Sequence, residues 1–109
     1  MLNITVTYQS DYIPYNAAEV KVPTQDVNEA LNYAFRWTQN IDGSWSNKIG
    51  GDANDNVTVL HYRNDGSGLR SSMVGDEFTV WFEDKTFKKF RCMPIGFKDI
   101  TFEKFEEIV

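Results

Sequence analysis

Any chemistry in this chain would have to run through very few groups. There is one histidine, His61, and one cysteine, Cys92. A Ser–His or Cys–His nucleophilic pair would need His61, which lies in a strand-like run with no nucleophile motif beside it. It reads as a structural or surface histidine. A free cysteine most often packs as a small apolar residue, and Cys92 reads that way, although the bases Lys88, Lys89 and Arg91 lie near it in sequence. One histidine and one cysteine supply too few ligands for a zinc site. Asp52-Ala53-Asn54-Asp55-Asn56 opens like a calcium loop, but an EF-hand needs glycine at its sixth position and glutamate at its twelfth. Val57 and Arg63 stand there instead, which leaves solvated loop carboxylates. Gly66-Ser67-Gly68 leads toward a strand and not a helix, so it is not a dinucleotide cradle. These residues imply no catalytic set, no cofactor and no metal.

Two constellations remain. Phe87-Lys88-Lys89-Phe90-Arg91 interleaves aromatics with bases, a pattern that stacks nucleobases and holds phosphates. On a strand Lys89 and Arg91 share one side and Phe90 points inward. Lysines on a hairpin also block edge pairing, and Glu77, Glu83 and Asp84 on the partner strand can neutralise them. In Arg70-Ser71-Ser72-Met73-Val74-Gly75-Asp76, Gly75 permits a positive φ and Asp76 can accept backbone N–H groups to close a turn. Arg70 can pair with that carboxylate. A turn that launches the next strand is the first reading here, ahead of a ligand site.

The elements that would position these groups follow from periodicity. Leu2, Ile4, Val6 and Tyr8 alternate with Asn3, Thr5 and Thr7, which predicts a half-buried strand over 2–8. Ala18, Val20 and Val22 predict a second, ended by Pro23. Residues 26–39 predict the main helix, with Asp26 as N-cap and Glu29 in capping-box spacing. Its buried stripe is Val27, Ala30, Leu31, Ala34 and Thr38. Residues 40–56 are rich in Gly, Asp, Asn and Ser, and an ordered loop of this length is often functional. Val57 to Tyr62 predicts a third strand, residues 77–83 a fourth and Phe87 to Met93 a fifth, the last two forming a hairpin about Asp84-Lys85-Thr86. Pro94 and Gly96 break the pattern. Thr101 or Asp99 can cap a short last helix in which Phe102, Phe105 and Val109 share a face. The predicted core is Ile4, Val6, Val27, Leu31, Ala34, Phe35, Val59, Phe78, Val80, Phe82 and Phe90.

The 109 residues suit one domain, and 25% charged with 41% hydrophobic argues against disorder. A net charge of −5 repels phosphate backbones unless the bases cluster, which favours a protein partner, a basic one being the natural complement. The single cysteine precludes an intramolecular disulfide and fits a reducing compartment. No signal peptide or membrane-spanning run is apparent, so a cytoplasmic location is expected.

The Arg70–Asp76 segment, followed by two strands and Gly96-Phe97, resembles a pattern in small uncharacterised phage and plasmid proteins. Those read Arg-Ser-x-Ser-Val-Gly-Asp, a strand, a second strand and Gly-Phe. Thr38-Gln39-Asn40-Ile41-Asp42-Gly43-Ser44-Trp45 resembles the same group, and the likeness covers residues 25–100. Met73 departs from it, standing where the pattern has serine, which weakens a polar role there. The resemblance implies a mobile-element origin and an accessory role, and brings no activity with it. A fainter likeness is to ASCH or PUA-like RNA-binding barrels, where Gly-Asp also precedes a strand. The ASCH-type Gly-x-Lys-x-x-Glu-x-Arg motif is absent, so that likeness is at fold level only.

The expectation is a single α+β domain over 1–109. It has a mostly antiparallel five-stranded sheet or partial barrel on one main helix, with a short C-terminal helix. The expected function is that of a non-enzymatic phage or mobile-element accessory protein in the host cytoplasm. It would bind a host protein, as an anti-CRISPR-like defence inhibitor does. Trp45, Tyr62, Arg70, Asp76 and Trp81 are the candidate partner-binding residues, since aromatics and arginine dominate interface hot spots. The alternative is a small PUA/ASCH-like nucleic-acid module using Lys88, Lys89 and Arg91. No membrane partner is expected, and an exposed edge at residues 2–8 could pair two copies.

Overall fold

The computed structural model describes residues 1–9 and 13–103. In chain order the elements are β1 (Leu2–Tyr8), β2 (Tyr15–Val22), α1 (Val27–Arg36), β3 (Gly43–Ser44), β4 (Ile49–Gly50), β5 (Val57–Val59), β6 (Glu77–Trp81), β7 (Phe87–Cys92) and β8 (Phe97–Asp99). Six strands form one sheet in the order β5-β2-β1-β6-β7-β8, and β3 and β4 form a separate hairpin. Every pairing is antiparallel.

The chain is α+β, with one strand more in the sheet than periodicity predicts. The extra strand is β8. Pro94 and Gly96 do not end the sheet; they turn the chain back onto it. Gly96 takes φ 73°, the Met93 N–H bonds to the Gly96 carbonyl at 2.9 Å, and Phe97 comes to lie opposite Cys92. The sheet stays open with β5 and β8 at its edges, so no barrel closes. β1 is an interior strand and not an edge, because its apolar row matches a neighbour on each side. Ile4 faces Val20 and Val80, and Val6 faces Ala18 and Phe78. The third predicted strand stops at Val59, short of Tyr62. Of the predicted last helix, positions 104–109 lie outside the described residues.

Alternation in β1 buries Leu2, Ile4, Val6 and Tyr8 on one face. Burying side chains of this size contributes about 1.5–3 kcal/mol each. β2 breaks its own alternation, since Ala17 and Ala18 are both buried. The register slips between Val6 and Thr7, as a bulge carrying one extra residue requires. α1 lies across β1, β2 and β6 and buries Ala30, Leu31 and Ala34. Small residues on both surfaces let helix and sheet approach closely. The remaining predicted core residues Val27, Phe35, Val59, Phe82 and Phe90 are partly buried and pack against this cluster.

The helix starts as its sequence dictates. Asp26 has extended backbone, and its side chain accepts the Glu29 N–H at 2.9 Å. Glu29 does not reach back to the cap residue as a simple capping box would. It accepts from the Thr24 hydroxyl at 3.0 Å, and that hydroxyl accepts the Asp26 N–H at 3.1 Å. The helix ends at Arg36, before the predicted residue 39, because the Thr38 and Gln39 N–H groups bond three residues back, to Phe35 and Arg36. The opposite face of the sheet has no helix or strand on it among the described residues.

Candidate functional site

The segment 69–76 is the most densely bonded part of the chain, and Asp76 is its centre. This carboxylate is fully enclosed. It receives both terminal nitrogens of Arg70, at 2.8 and 3.0 Å. It also accepts the Gln9 N–H and the Met73 N–H, each at 2.9 Å. Gly75 takes φ 98° inside this turn, where glycine alone is unstrained. The Arg70 guanidinium lies 4.0 Å from the centre of the Tyr8 ring, a cation–π arrangement. The Arg70 carbonyl in turn accepts the Tyr8 hydroxyl at 2.8 Å and the Trp45 indole N–H at 2.9 Å. Burial drives the Tyr8 phenol far above its ordinary value, opposed in part by Arg70 and assisted by Asp76.

The segment that follows α1, residues 38–45, meets the 69–76 segment here. The Ser72 and Thr38 hydroxyls are 2.7 Å apart, and the Gln39 side-chain amide donates to both the Ser72 hydroxyl and the Ser72 carbonyl. Asn40 donates from its backbone to the Ser71 hydroxyl and from its side chain to the Leu69 carbonyl. Its side-chain oxygen receives the Trp45 N–H. Among the described residues, no buried side-chain polar atom lacks a partner. The cluster's buried polar groups are satisfied by one another and by the backbone around them. Its chemistry is that of a clasp joining the end of α1 to the start of β6.

Trp45 and Asp76, two of the candidate partner-binding residues, are therefore 0% exposed. Neither offers a contact surface to a partner in this structure. Trp45 is drawn inward because its indole N–H finds a buried carbonyl while its ring packs edge-on to Tyr8 at 6.4 Å. Arg70 belongs to the clasp rather than to the surface. Trp81 and Tyr62 are the displayed candidates.

Trp81 projects from the uncovered face of the sheet. Its indole N–H donates to the Thr5 hydroxyl at 3.0 Å, and its ring lies 5.2 Å from that of Phe87. Trp81 is 39% exposed and Phe87 45%, although each has an aromatic neighbour to pack on. Strand register places Lys21, Asn3, Trp81 and Phe87 across one row, and Glu19, Thr5, Thr79 and Lys89 across the next. The result is a surface with an aromatic pair at the hairpin end of the sheet and polar residues beside it. Thr5 belongs to this site without having been singled out in the sequence, and Phe87 was read there only as part of the basic-aromatic stretch. The alternation of β1 and β6 was the signal, because it sends Thr5 and Trp81 to the face opposite Ile4 and Val80.

Of the candidate nucleic-acid residues, two are brought together and one is not. Lys89 and Arg91 share the uncovered face, while Lys88 lies opposite Val80 on the other side of β7. Lys89 has Glu77 at 3.9 Å, and Arg91 donates to Glu103 at 2.6 Å. Tyr62 is 70% exposed beyond the end of β5, beside an open depression lined by His61, Arg63, Asn64 and Asp65. His61 stacks on Tyr15 at 4.2 Å. Cys92 is buried, and burial together with Asp76 raises its thiol above the ordinary value, the reverse of activation.

The calcium-like segment is likewise consumed by the fold. Asp52 accepts the Ile41 and Asp42 N–H groups and pairs with Arg36 at 3.2 Å. Asn54 and Asn56 both donate to the Tyr33 hydroxyl. Among the described residues no group of three or more His, Cys, Asp or Glu side chains is placed to hold a metal ion. No helix among them is long and apolar enough to cross a membrane.

Comparison with protein-family models, curated proteins and solved structures finds no match to this chain.

Proposed function

We propose that this chain is a non-enzymatic binding protein of a phage or related mobile element, acting in the host cytoplasm. It occupies a surface of a host protein, as an inhibitor of a host defence does. The observation that carries this reading is the Trp81–Phe87 pair, held in the open on the sheet face opposite α1, where the β6–β7 hairpin turns. A rigid sheet bearing aromatic side chains at low conformational cost is suited to a partner surface. The nucleic-acid alternative is weakened by the separation of Lys88 from Lys89 and Arg91, by their carboxylate partners and by the net charge of −5.

Affinity capture from host lysate with the full chain tests the reading. Wild type should retain a specific protein that a Trp81→Ala/Phe87→Ala chain releases, while Tyr62→Ala reports whether the β5 end contributes. Equal retention by wild type and the double variant, or no specific partner under several conditions, counts against it.

A further inference from the structure

We infer that the cleft beside β7 is a receptor for an acidic side chain on the protein partner, and that Glu103 fills it in the free chain as an internal stand-in. This inference rests on the binding role proposed above and specifies the chemistry the partner must present. The cleft is open, about 280 Å³ in volume, and shares Phe87 with the aromatic patch. Lys89 and Arg91 reach it from alternate positions of β7, and the register of β8 sets Lys98 beside Arg91. Glu77 is turned to Lys89. The Glu103 carboxylate straddles the other two bases, with one oxygen 2.6 Å from Arg91 and the other 3.6 Å from Lys98. A carboxylate shared between an arginine fork and a lysine is the geometry with which proteins bind carboxylate ligands.

The stand-in is delivered by a built turn. The Ile100 N–H bonds to the Lys89 carbonyl at 2.7 Å, the Lys89 N–H bonds to the Thr101 hydroxyl at 2.9 Å, and the Glu103 N–H bonds to the Ile100 carbonyl at 2.9 Å. Ile100 is buried beneath this turn. Backbone therefore holds Glu103 over Arg91, but the ion pair itself is weak, because its side chains are 32% and 37% exposed. An incoming carboxylate can displace it by rotation of one side chain, without moving the strand.

Fluorescence anisotropy with a labelled hexaglutamate peptide tests the inference, using the full chain as wild type, Glu103→Gln, Arg91→Gln and Lys98→Gln. Thermal melts establish that each variant is folded, and Lys98→Gln serves if Arg91→Gln is not. Glu103→Gln should bind roughly three- to fivefold tighter than wild type, the factor expected for removing a weak competing pair. Arg91→Gln or Lys98→Gln should bind at least about tenfold more weakly than Glu103→Gln. Unchanged affinity in Glu103→Gln, or tighter binding of a twelve-residue oligothymidylate than of the peptide, overturns the inference. If the peptide results fail while Trp81-dependent capture of a protein persists, the acidic receptor is wrong and the binding role stands. If peptide binding follows the expected order while capture fails, the reverse holds.

Discussion

At Asp76 one enclosed carboxylate takes two bonds from Arg70 and one each from the backbone at Gln9 and Met73, so it ties the end of β1 to the 70–76 segment. Removing its partner strands a buried charge, which costs more than the pair itself is worth. Arg70→Met should therefore destabilise the fold by about 3 kcal/mol, read as a lower urea midpoint with an unchanged slope. A loss below about 1 kcal/mol would mean the clasp is peripheral. Trp81→Ala should behave in the opposite way, shifting stability by less than about 1 kcal/mol because the side chain is 39% exposed, yet abolishing partner capture. The Arg70–Asp76 pairing and the positive φ at Gly75 were legible from sequence because they are local: a glycine, an acceptor and a base within one turn. Trp45 was not. It sits in a polar, glycine-rich stretch, and what buries it is a carbonyl 25 residues away and a ring on β1.

The loop between α1 and β5 is ordered by a small hairpin rather than by bulk. Gly43 and Gly50 face each other in β3 and β4, and a Cβ on Gly50 would stand 2.0 Å from the Asp42 carbonyl oxygen at φ +69°. Gly50→Ala should open this hairpin, raising amide exchange at residues 41–52 while exchange in β1 and β6 stays slow; unchanged exchange there would contradict the account. The edge strand β5 is guarded by Lys48, whose ammonium bonds to the carbonyls of Asn54 and Val57 and so occupies a group that another strand could otherwise pair with. On the helix, Ala34 is fully buried. Ala34→Asp should prevent folding, seen as loss of the cooperative thermal transition. Elements with a clean period were readable from sequence, as β1 and α1 show. β8 was not, because Pro94 and Gly96 look the same whether they end a sheet or turn a chain back onto it. The β3–β4 hairpin is too short to carry a period at all.

For the molecule as a whole, stability should fall at both ends of the pH scale. Hydrogen bonds from Thr or Ser side chains hold Asp65, Asp84 and Asp99 below the ordinary 3.8. At Asp52 burial pushes the other way but is outweighed by the backbone of Asp42 and Ile41 and by Arg36. The Arg91 hydrogen bond holds Glu103 below 4.5. Groups depressed in the folded state contribute stability that is present above these ordinary values and drains as pH falls through the folded ones. Tyr8 and Cys92 are raised, chiefly by burial, above ordinary values of 10.0 and 9.0. In their case the unfolded chain ionises first, so stability is intact below those values and is lost as pH rises beyond them. A urea midpoint measured against pH should show a neutral plateau with a fall on each side, and a missing alkaline fall would contradict the enclosed Tyr8. The binding role proposed above is assigned to the sheet face opposite α1. Its most direct test is the affinity of the captured host protein for wild type and for Trp81→Ala/Phe87→Ala, measured by titration with both chains shown to be folded. The account predicts at least about a tenfold weakening in the double variant, since two exposed aromatic anchors are removed. Equal affinity would place the binding surface elsewhere and contradict it.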